Sequence, residues 1–162
     1  MNINFWGVIY GTKSFLPYLQ RVDDAHIINT SSIFGSIAVP SQSIYNASKF
    51  AVKGYTFALR QELAETHINV SCVQPGGVKT GIVNSSRYVP QDNASATKEE
   101  LSEQFESMAQ LTSEQAAEQI LRGVLKNKAQ ILVGKDAKFA ALIERILPIG
   151  YQKLIGKVLD NP

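Results

Sequence analysis

Tyr45 and Lys49, preceded by Ser32, are the residues of this chain whose types and spacing could do chemistry, in the pattern Ser32-(x12)-Tyr45-(x3)-Lys49. A free phenol has a pKa near ~10 and is a poor base at neutral pH. On a helix, Lys49 would lie one turn from Tyr45 on the same face, where its ammonium favours the ionised phenol. Ser32 could then hold a carbonyl or alcohol oxygen while Tyr45 transfers the proton. This is the chemistry of carbonyl reduction and alcohol oxidation.

Around these residues the chain resembles the short-chain dehydrogenase/reductase family. The run YNASK at residues 45–49 matches the family's active-site motif, and the serine stands at the usual distance ahead of it. Asn4, in the run NFWG, is similar to the asparagine that completes the family's tetrad. The run PGGVKT at residues 75–80 is similar to the loop that holds the nicotinamide end of the cofactor. The resemblance covers residues 1–134.

The resemblance implies a function and a role for each of these residues. We expect an NAD(P)-dependent oxidoreductase in which Tyr45 is the general acid/base and Lys49 assists it and binds the nicotinamide ribose. Ser32 is expected to position the substrate oxygen and Asn4 to anchor a water in the proton path. The cofactor-binding residues are expected to be Tyr45 and Lys49 together with Pro75, Gly76, Val78 and Thr80. From the residues alone, Asn4 could be only a helix cap and Thr80 only a turn-stabilising hydroxyl.

Glycine-rich turns cradle the pyrophosphate of dinucleotides at a helix N-terminus, and none of the eleven glycines forms such a turn. The segment that selects NAD or NADP in the family is also absent, so the cofactor is expected to be either one. The sequence is therefore interpreted as the C-terminal portion of a dehydrogenase. Two alternatives stay open: a truncated, inactive fragment or non-enzymatic binding module, and an enzyme that uses the same tyrosine and lysine for epimerisation or dehydration.

Hydrophobic patterning predicts alternating strands and helices, which indicates an α/β fold with a parallel sheet and right-handed crossovers. With the resemblance, this becomes a partial Rossmann-like three-layer fold that lacks its first strands. The predicted strands are 26–31, 68–73 and 130–133, and the predicted helices are 4–20, 43–65 and 113–126, the last capped by Thr112 or Ser113. Apolar positions expected to be buried on the first two helices are Phe5, Ile9, Leu16, Leu19, Ala51, Tyr55, Ala58, Leu59 and Leu63.

The chain is predicted to comprise residues 1–134 as the dehydrogenase portion and residues 135–162 as an amphipathic helical tail. A polar stretch at about 81–111 is the expected substrate lid. In the tail, apolar residues recur at helical spacing among lysines, interrupted at Pro148. The tail is expected to pack over the substrate pocket or against a second subunit. Contact with a membrane surface is the less favoured alternative.

Composition excludes several other classes of protein. The net charge of +2 is too small to indicate nucleic-acid binding, and no aromatic-basic stripe is present. His26 and His67 form no metal-ligand or triad pattern, and Cys72 is expected to be a small core residue in a reducing compartment. Without a signal peptide or a run of about 18 apolar residues, a cytoplasmic protein acting on small molecules is predicted. The resemblance further implies a homo-oligomer.

Overall fold

The predicted alternation of strands and helices is present in the protein, whose computed structural model describes residues 1–82, 85, 97, 100, 102–103, 107 and 109–153. The helical elements are a π-helical turn Asn2–Trp6, α1 Gly7–Leu19, a 3-10 turn Ile33–Gly35, α2 Ser43–Glu62, α3 Ser113–Leu125 and α4 Lys135–Ile146. The strands are β1 Ala25–Thr30, β2 Ile68–Pro75 and β3 Gln130–Val133. The α/β class is thereby confirmed.

The strands form one parallel sheet in the order β1-β2-β3. Thr30 is opposite Val73, and Pro75 is opposite Val133, so neighbouring strands end near one another. The parallel arrangement confirms the sequence-based prediction. Because ligands of such sheets bind beyond the carboxyl ends of the strands, the segments after Thr30 and Pro75 lie where a site is expected.

Helices cover both faces of the sheet. Successive side chains of each strand point to opposite faces, and apolar clusters form on each face. One apolar cluster joins α1 and α2 to β1 and β2; it comprises Ala25, Ile27, Leu59, Leu63, Ile68 and Val70, with Leu16, Leu19 and Tyr55 against it. A second joins α3 to the opposite face; it comprises Val73, Ala116, Ile131 and Val133, with Val78, Leu111, Ile120 and Val124 against it. This arrangement is the predicted three-layer one. Cys72 is fully buried in the sheet, which confirms it as a core residue.

Three details of the first two helices differ from the predictions. Helical structure begins at Asn2, so Asn4 lies inside a π-helical turn and does not cap a helix. Ala58 is exposed, not buried. Helix α2 ends at Glu62, not near Glu65, because the Thr66 hydroxyl donates a hydrogen bond to the carbonyl of Leu63 at 2.8 Å and competes with helical bonding.

The tail is helical over Lys135–Ile146, and this helix ends before Pro148, as predicted. Its small residues Ala137, Ala140 and Ala141 pack with Ile143 and Tyr151 against the 3-10 turn. The tail positions Leu154, Ile155, Val158 and Leu159, and most of the predicted lid, lie outside the described residues. Within the described residues, no helix is long and apolar enough to cross a membrane. The division at residue 134 stays a prediction.

Candidate active site

The N-terminal half of α2 carries the predicted tyrosine and lysine on one face. Tyr45 and Lys49 are both half-buried, and the Nζ atom of Lys49 lies 5.7 Å from the centre of the Tyr45 ring. The α-helical repeat explains this proximity, since residues four apart lie one above the other. The ammonium is therefore within cation–π range of the aromatic ring.

The ammonium of Lys49 is anchored on β1. Its Nζ donates a hydrogen bond to the carbonyl oxygen of Thr30 at 3.2 Å. Burial lowers the pKa of Lys49 from its ordinary value, because desolvation disfavours the charged form, and the neighbouring Cys72 opposes this shift. An ammonium carries further N–H donors beyond the one that Thr30 accepts. Lys49 is thus fixed in direction and still able to bind another acceptor.

Ser32 follows β1 and begins the 3-10 turn. Its backbone is extended, with φ −164 and ψ 165, and its Oγ accepts a hydrogen bond from the N–H of Phe34 at 3.2 Å. The Phe34 ring meets the Tyr45 ring edge-on, with the ring centres 6.3 Å apart and the planes at 87°. Ser32 and the 3-10 turn that follows it, together called the serine turn, are therefore packed against Tyr45 of α2.

Hydrogen bonds fasten this turn to α2 on both sides of Ser32. The Ser31 hydroxyl donates to the carbonyl of Lys49 at 2.8 Å. The Asn46 amide donates to the carbonyls of Phe34 at 2.9 Å and Ile37 at 3.1 Å. A Cβ atom added to Gly35 would lie 2.7 Å from the Lys49 carbonyl oxygen, so glycine is required for so close an approach. The turn and the helix form one hydrogen-bonded unit.

Asn4 reaches the same helix from the π-helical turn. Its Nδ2 donates a hydrogen bond to the hydroxyl oxygen of Ser48 at 3.3 Å, and that hydroxyl donates to the carbonyl of Tyr45 at 2.7 Å. A wide helical turn of this kind is rare and is frequently found at functional sites. Asn4 is thereby joined to the helical turn that holds Tyr45 and Lys49.

The loop at residues 75–80 lies at the same edge of the sheet but has different contacts. The N–H of Gly76 donates to the carbonyl of Val133 at 2.9 Å, and the N–H of Lys79 to the carbonyl of Leu111 at 2.8 Å. Thr80 is exposed. The structure thus joins Asn4, through Ser48, and the serine turn to the helical turn that carries Tyr45 and Lys49. The loop is instead bonded to β3 and the segments that flank α3 and α4.

Sequence reasoning missed Gln74, whose side chain is fully buried beneath the serine turn. Its Nε2 donates to the carbonyl of Ser32 at 3.1 Å and to the hydroxyl oxygen of Ser36 at 3.0 Å. Its Oε1 accepts from the amide of Gln130 at 2.5 Å, and Lys53 donates to the Ser36 hydroxyl at 2.9 Å. The available signal was a polar residue in an apolar strand, directly before the Pro-Gly pair.

A groove of about 460 Å³ follows β1 on the side away from β2. It is lined by Gly7, Val8, Gly11, Thr12, Phe15, Leu19, Ile27, Ile28, Asn29 and Thr30. Among the described strands, β1 is paired on one side only. The groove is separate from the Tyr45 ring and adjoins the site only at Thr30, whose carbonyl binds Lys49.

Comparison with known proteins gives a family and several relatives. A family model described as short chain dehydrogenase matches residues 1–91. A protein described as the oxidoreductase SadH, from Mycobacterium tuberculosis, is 43% identical over 159 residues, which are 96% of this chain and 56% of SadH. The 3-ketodihydrosphingosine reductase of Bacteroides thetaiotaomicron is 47% identical over 85 residues, 52% of this chain and 32% of that protein.

A solved structure shows the same fold. The crystal structure of a short chain dehydrogenase/reductase from Burkholderia phymatum in complex with NAD is 27% identical, with a TM-score of 0.73. The match covers 88% of this chain and 55% of that one. The chain therefore spans about half the length of the solved structure, as it does of SadH. The partial Rossmann-like fold predicted from the sequence is confirmed.

Proposed function

The chain belongs to the short-chain dehydrogenase family, and on that premise we propose that it carries the catalytic residues of an NAD(P)-dependent oxidoreductase. The reaction interconverts a carbonyl and a secondary alcohol: a hydride moves to or from carbon, and a proton to or from the attached oxygen. When bound, the nicotinamide cofactor supplies or accepts the hydride. A relative named as a reductase of a 3-keto compound supports this substrate class.

The observation that carries the proposal is the 5.7 Å distance between the Lys49 Nζ atom and the Tyr45 ring centre. A cation held here can interact with the charge that develops on the Tyr45 oxygen during proton transfer. In reduction Tyr45 donates its proton to the new alkoxide oxygen, and in oxidation it takes a proton from the alcohol. The proton and the hydride move in the same direction: both go to the substrate in reduction, and both leave it in oxidation.

Ser32 holds the substrate oxygen in this proposal. Its Oγ already accepts the N–H of Phe34, so the hydroxyl hydrogen is available to donate to a carbonyl or alcohol oxygen. The edge-on contact between Phe34 and Tyr45 supports a common orientation of the serine turn and the phenol. Ser32 would thus polarise the carbonyl next to the proton donor.

The described residues fit a nicotinamide cofactor at the carboxyl edge of the sheet. Lys49 has N–H donors beyond the one on Thr30 and can bind ribose hydroxyls. The loop containing Pro75, Gly76, Val78 and Thr80 follows β2 at that edge, where such sheets bind ligands. Asn4, bonded to Ser48, is proposed to anchor a water that relays the proton. The Burkholderia phymatum protein was solved with NAD, and for this chain NAD and NADP are equal proposals.

The alternative is a chain without catalysis. Two observations favour it: the chain matches only about half of the length of SadH, and among the described strands β1 is paired on one side only. An unpaired strand edge beside an apolar groove is a surface prone to association. The predicted small-molecule substrate, homo-oligomer and cytoplasmic location belong to the enzymatic proposal and stay predictions with it.

A fusion protein tests the proposal against this alternative. The part of SadH that precedes its match to this chain is placed ahead of Met1, and both this SadH fusion and the chain alone are assayed with NADH or NADPH and a panel of ketones. Tyr45→Phe is the test variant. Tyr55→Phe is the matched control, because Tyr55 is on the same helix and is half-buried against the apolar cluster.

Removing a general acid/base costs roughly 10²- to 10⁴-fold, so we expect a loss in kcat/KM of that size for Tyr45→Phe in the fusion and little change for Tyr55→Phe. Turnover that survives Tyr45→Phe would overturn the catalytic assignment. Turnover by the chain alone, lost with Tyr45→Phe, would overturn the inactive-fragment alternative. A fusion that is inactive where SadH itself is active would favour that alternative.

A further inference from the structure

Asp136 lies outside the predicted site but contacts its cofactor loop directly. It stands in the first turn of α4, and its Oδ2 accepts a hydrogen bond from the backbone N–H of Gly77 at 2.6 Å. A backbone N–H bonded to a carboxylate is charge-assisted and stronger than a neutral hydrogen bond. The loop after β2 is thereby tied to the N-terminus of α4.

The backbone around this carboxylate is shaped to admit it. A Cβ atom added to Gly76 would lie 2.0 Å from Oδ2 of Asp136, and one added to Gly134 would lie 2.2 Å from Oδ1. Gly134 also has φ 103, a conformation that other residues rarely adopt. Two glycines from separate segments thus leave the space that Asp136 occupies.

The far end of the loop is held by different residues. The N–H of Lys79 donates to the carbonyl of Leu111 at 2.8 Å, and the Ser113 hydroxyl donates to the carbonyl of Lys79 at 3.2 Å. Asp136 therefore fixes the beginning of the loop, and residues 111–113 fix its end. Val78 lies between these two attachments, and Thr80 follows directly after them.

We propose that Asp136 is a positioning residue for the nicotinamide end of the cofactor. The inference rests on the proposed function of the loop. By holding the N–H of Gly77, the carboxylate sets the backbone direction at Val78 and Thr80 without touching the cofactor itself. Its loss should weaken binding of the nicotinamide portion and leave binding of the ADP-ribose portion unchanged.

The test measures the affinity of the SadH fusion for NADH and, separately, for ADP-ribose, which lacks the nicotinamide. Asp136→Ala removes the acceptor, whereas Asp136→Asn keeps an oxygen that can accept from Gly77. Glu114→Ala is the matched control, because Glu114 is also an exposed acidic residue in the first turn of a helix. It removes the same favourable charge from a helix N-terminus.

We expect Asp136→Ala to raise the Kd for NADH roughly tenfold, the equivalent of one charged hydrogen bond, with the Kd for ADP-ribose unchanged. Asp136→Asn should recover most of this affinity, and Glu114→Ala should change neither constant. An equal weakening of both ligands, or no weakening of NADH, would overturn the role of Asp136 alone. A wild-type fusion that binds neither ligand would overturn the proposed function as well.

Discussion

The carboxyl edge of the sheet and the outer side of α1 and β1 are built in opposite ways. At the edge, Ser31, Ser36, Asn46 and Gln74 are buried to within a few per cent, and within the described residues no buried side-chain nitrogen or oxygen lacks a partner. On the outer side, the exposed apolar side chains of Phe15 and Ile28 line the groove. Ile3, Trp6, Tyr10 and Tyr18, on the π-helical turn and α1, are also exposed.

The candidate site is therefore organised by contacts within the chain, whereas the outer side of α1 and β1 is open to contact with another surface. Ser32, Lys49 and Asn4 are held by hydrogen bonds within the described residues, and the Tyr45 ring is in contact with Phe34. Exposed apolar patches of this kind mark contact surfaces. Four substitutions test that contrast.

The largest effect is expected for Gln74→Leu. The substitution leaves the carbonyl of Ser32 and the amide of Gln130 without their buried partner, which should lower the free energy of unfolding by about 2–4 kcal/mol. Urea denaturation measures it. The control is Gln61→Leu on the exposed surface of α2, where little change is expected. Equal losses in both variants would show that the buried network adds no stability.

Lys49→Met should raise the free energy of unfolding near neutral pH while abolishing turnover of the fusion, because burial disfavours the charged ammonium. Its lowered pKa means that the unfolded state holds the proton at alkaline pH where the native state has released it. As the pH rises toward the ordinary pKa of lysine, the free energy of unfolding of the wild type should therefore rise relative to that of Lys49→Met. Exposed Lys138→Met serves as control; a loss of stability in Lys49→Met would contradict the prediction.

Phe15→Glu should weaken self-association of the chain about fivefold, as measured by sedimentation equilibrium, because it places a charge on an apolar surface. Its unfolding free energy should be nearly unchanged. Phe139→Glu on α4 is a matched control, since both side chains are 65% exposed. If Phe139→Glu is the more disruptive variant, the contact surface lies on the tail and not on α1.

The smallest effect concerns His26, whose Nε2 lies 2.7 Å from the Ser71 hydroxyl oxygen. Burial and then Arg60 lower the pKa of His26. As the pH falls below ~6.5, the unfolded state therefore takes up the proton before the native state does. The free energy of unfolding should decline by a few tenths of a kcal/mol over this range. His26→Gln should reduce this slope more than His67→Gln does, in denaturation series from pH 7.5 to 5.5.

Local signals predicted much of the fold. Strand β3 has the predicted bounds Gln130–Val133, and Thr112 caps α3 through a reciprocal bond with Gln115, because strand composition and capping depend on near neighbours. The tyrosine and lysine lie together for the same reason. By contrast, Gln74 binds Ser32, which is 42 positions away in the chain, and Asp136 binds Gly77, which is 59 positions away. No local pattern specifies such distant pairs.

The fastening of the serine turn to α2 has a consequence for the order of folding. Its hydrogen bonds join residues only 9 to 18 positions apart, so closing these short loops costs little chain entropy. The bond from Gln130 to Gln74 spans 56 positions. The serine turn and the tyrosine helix are therefore expected to assemble early as a nucleus, to which β3 is added later.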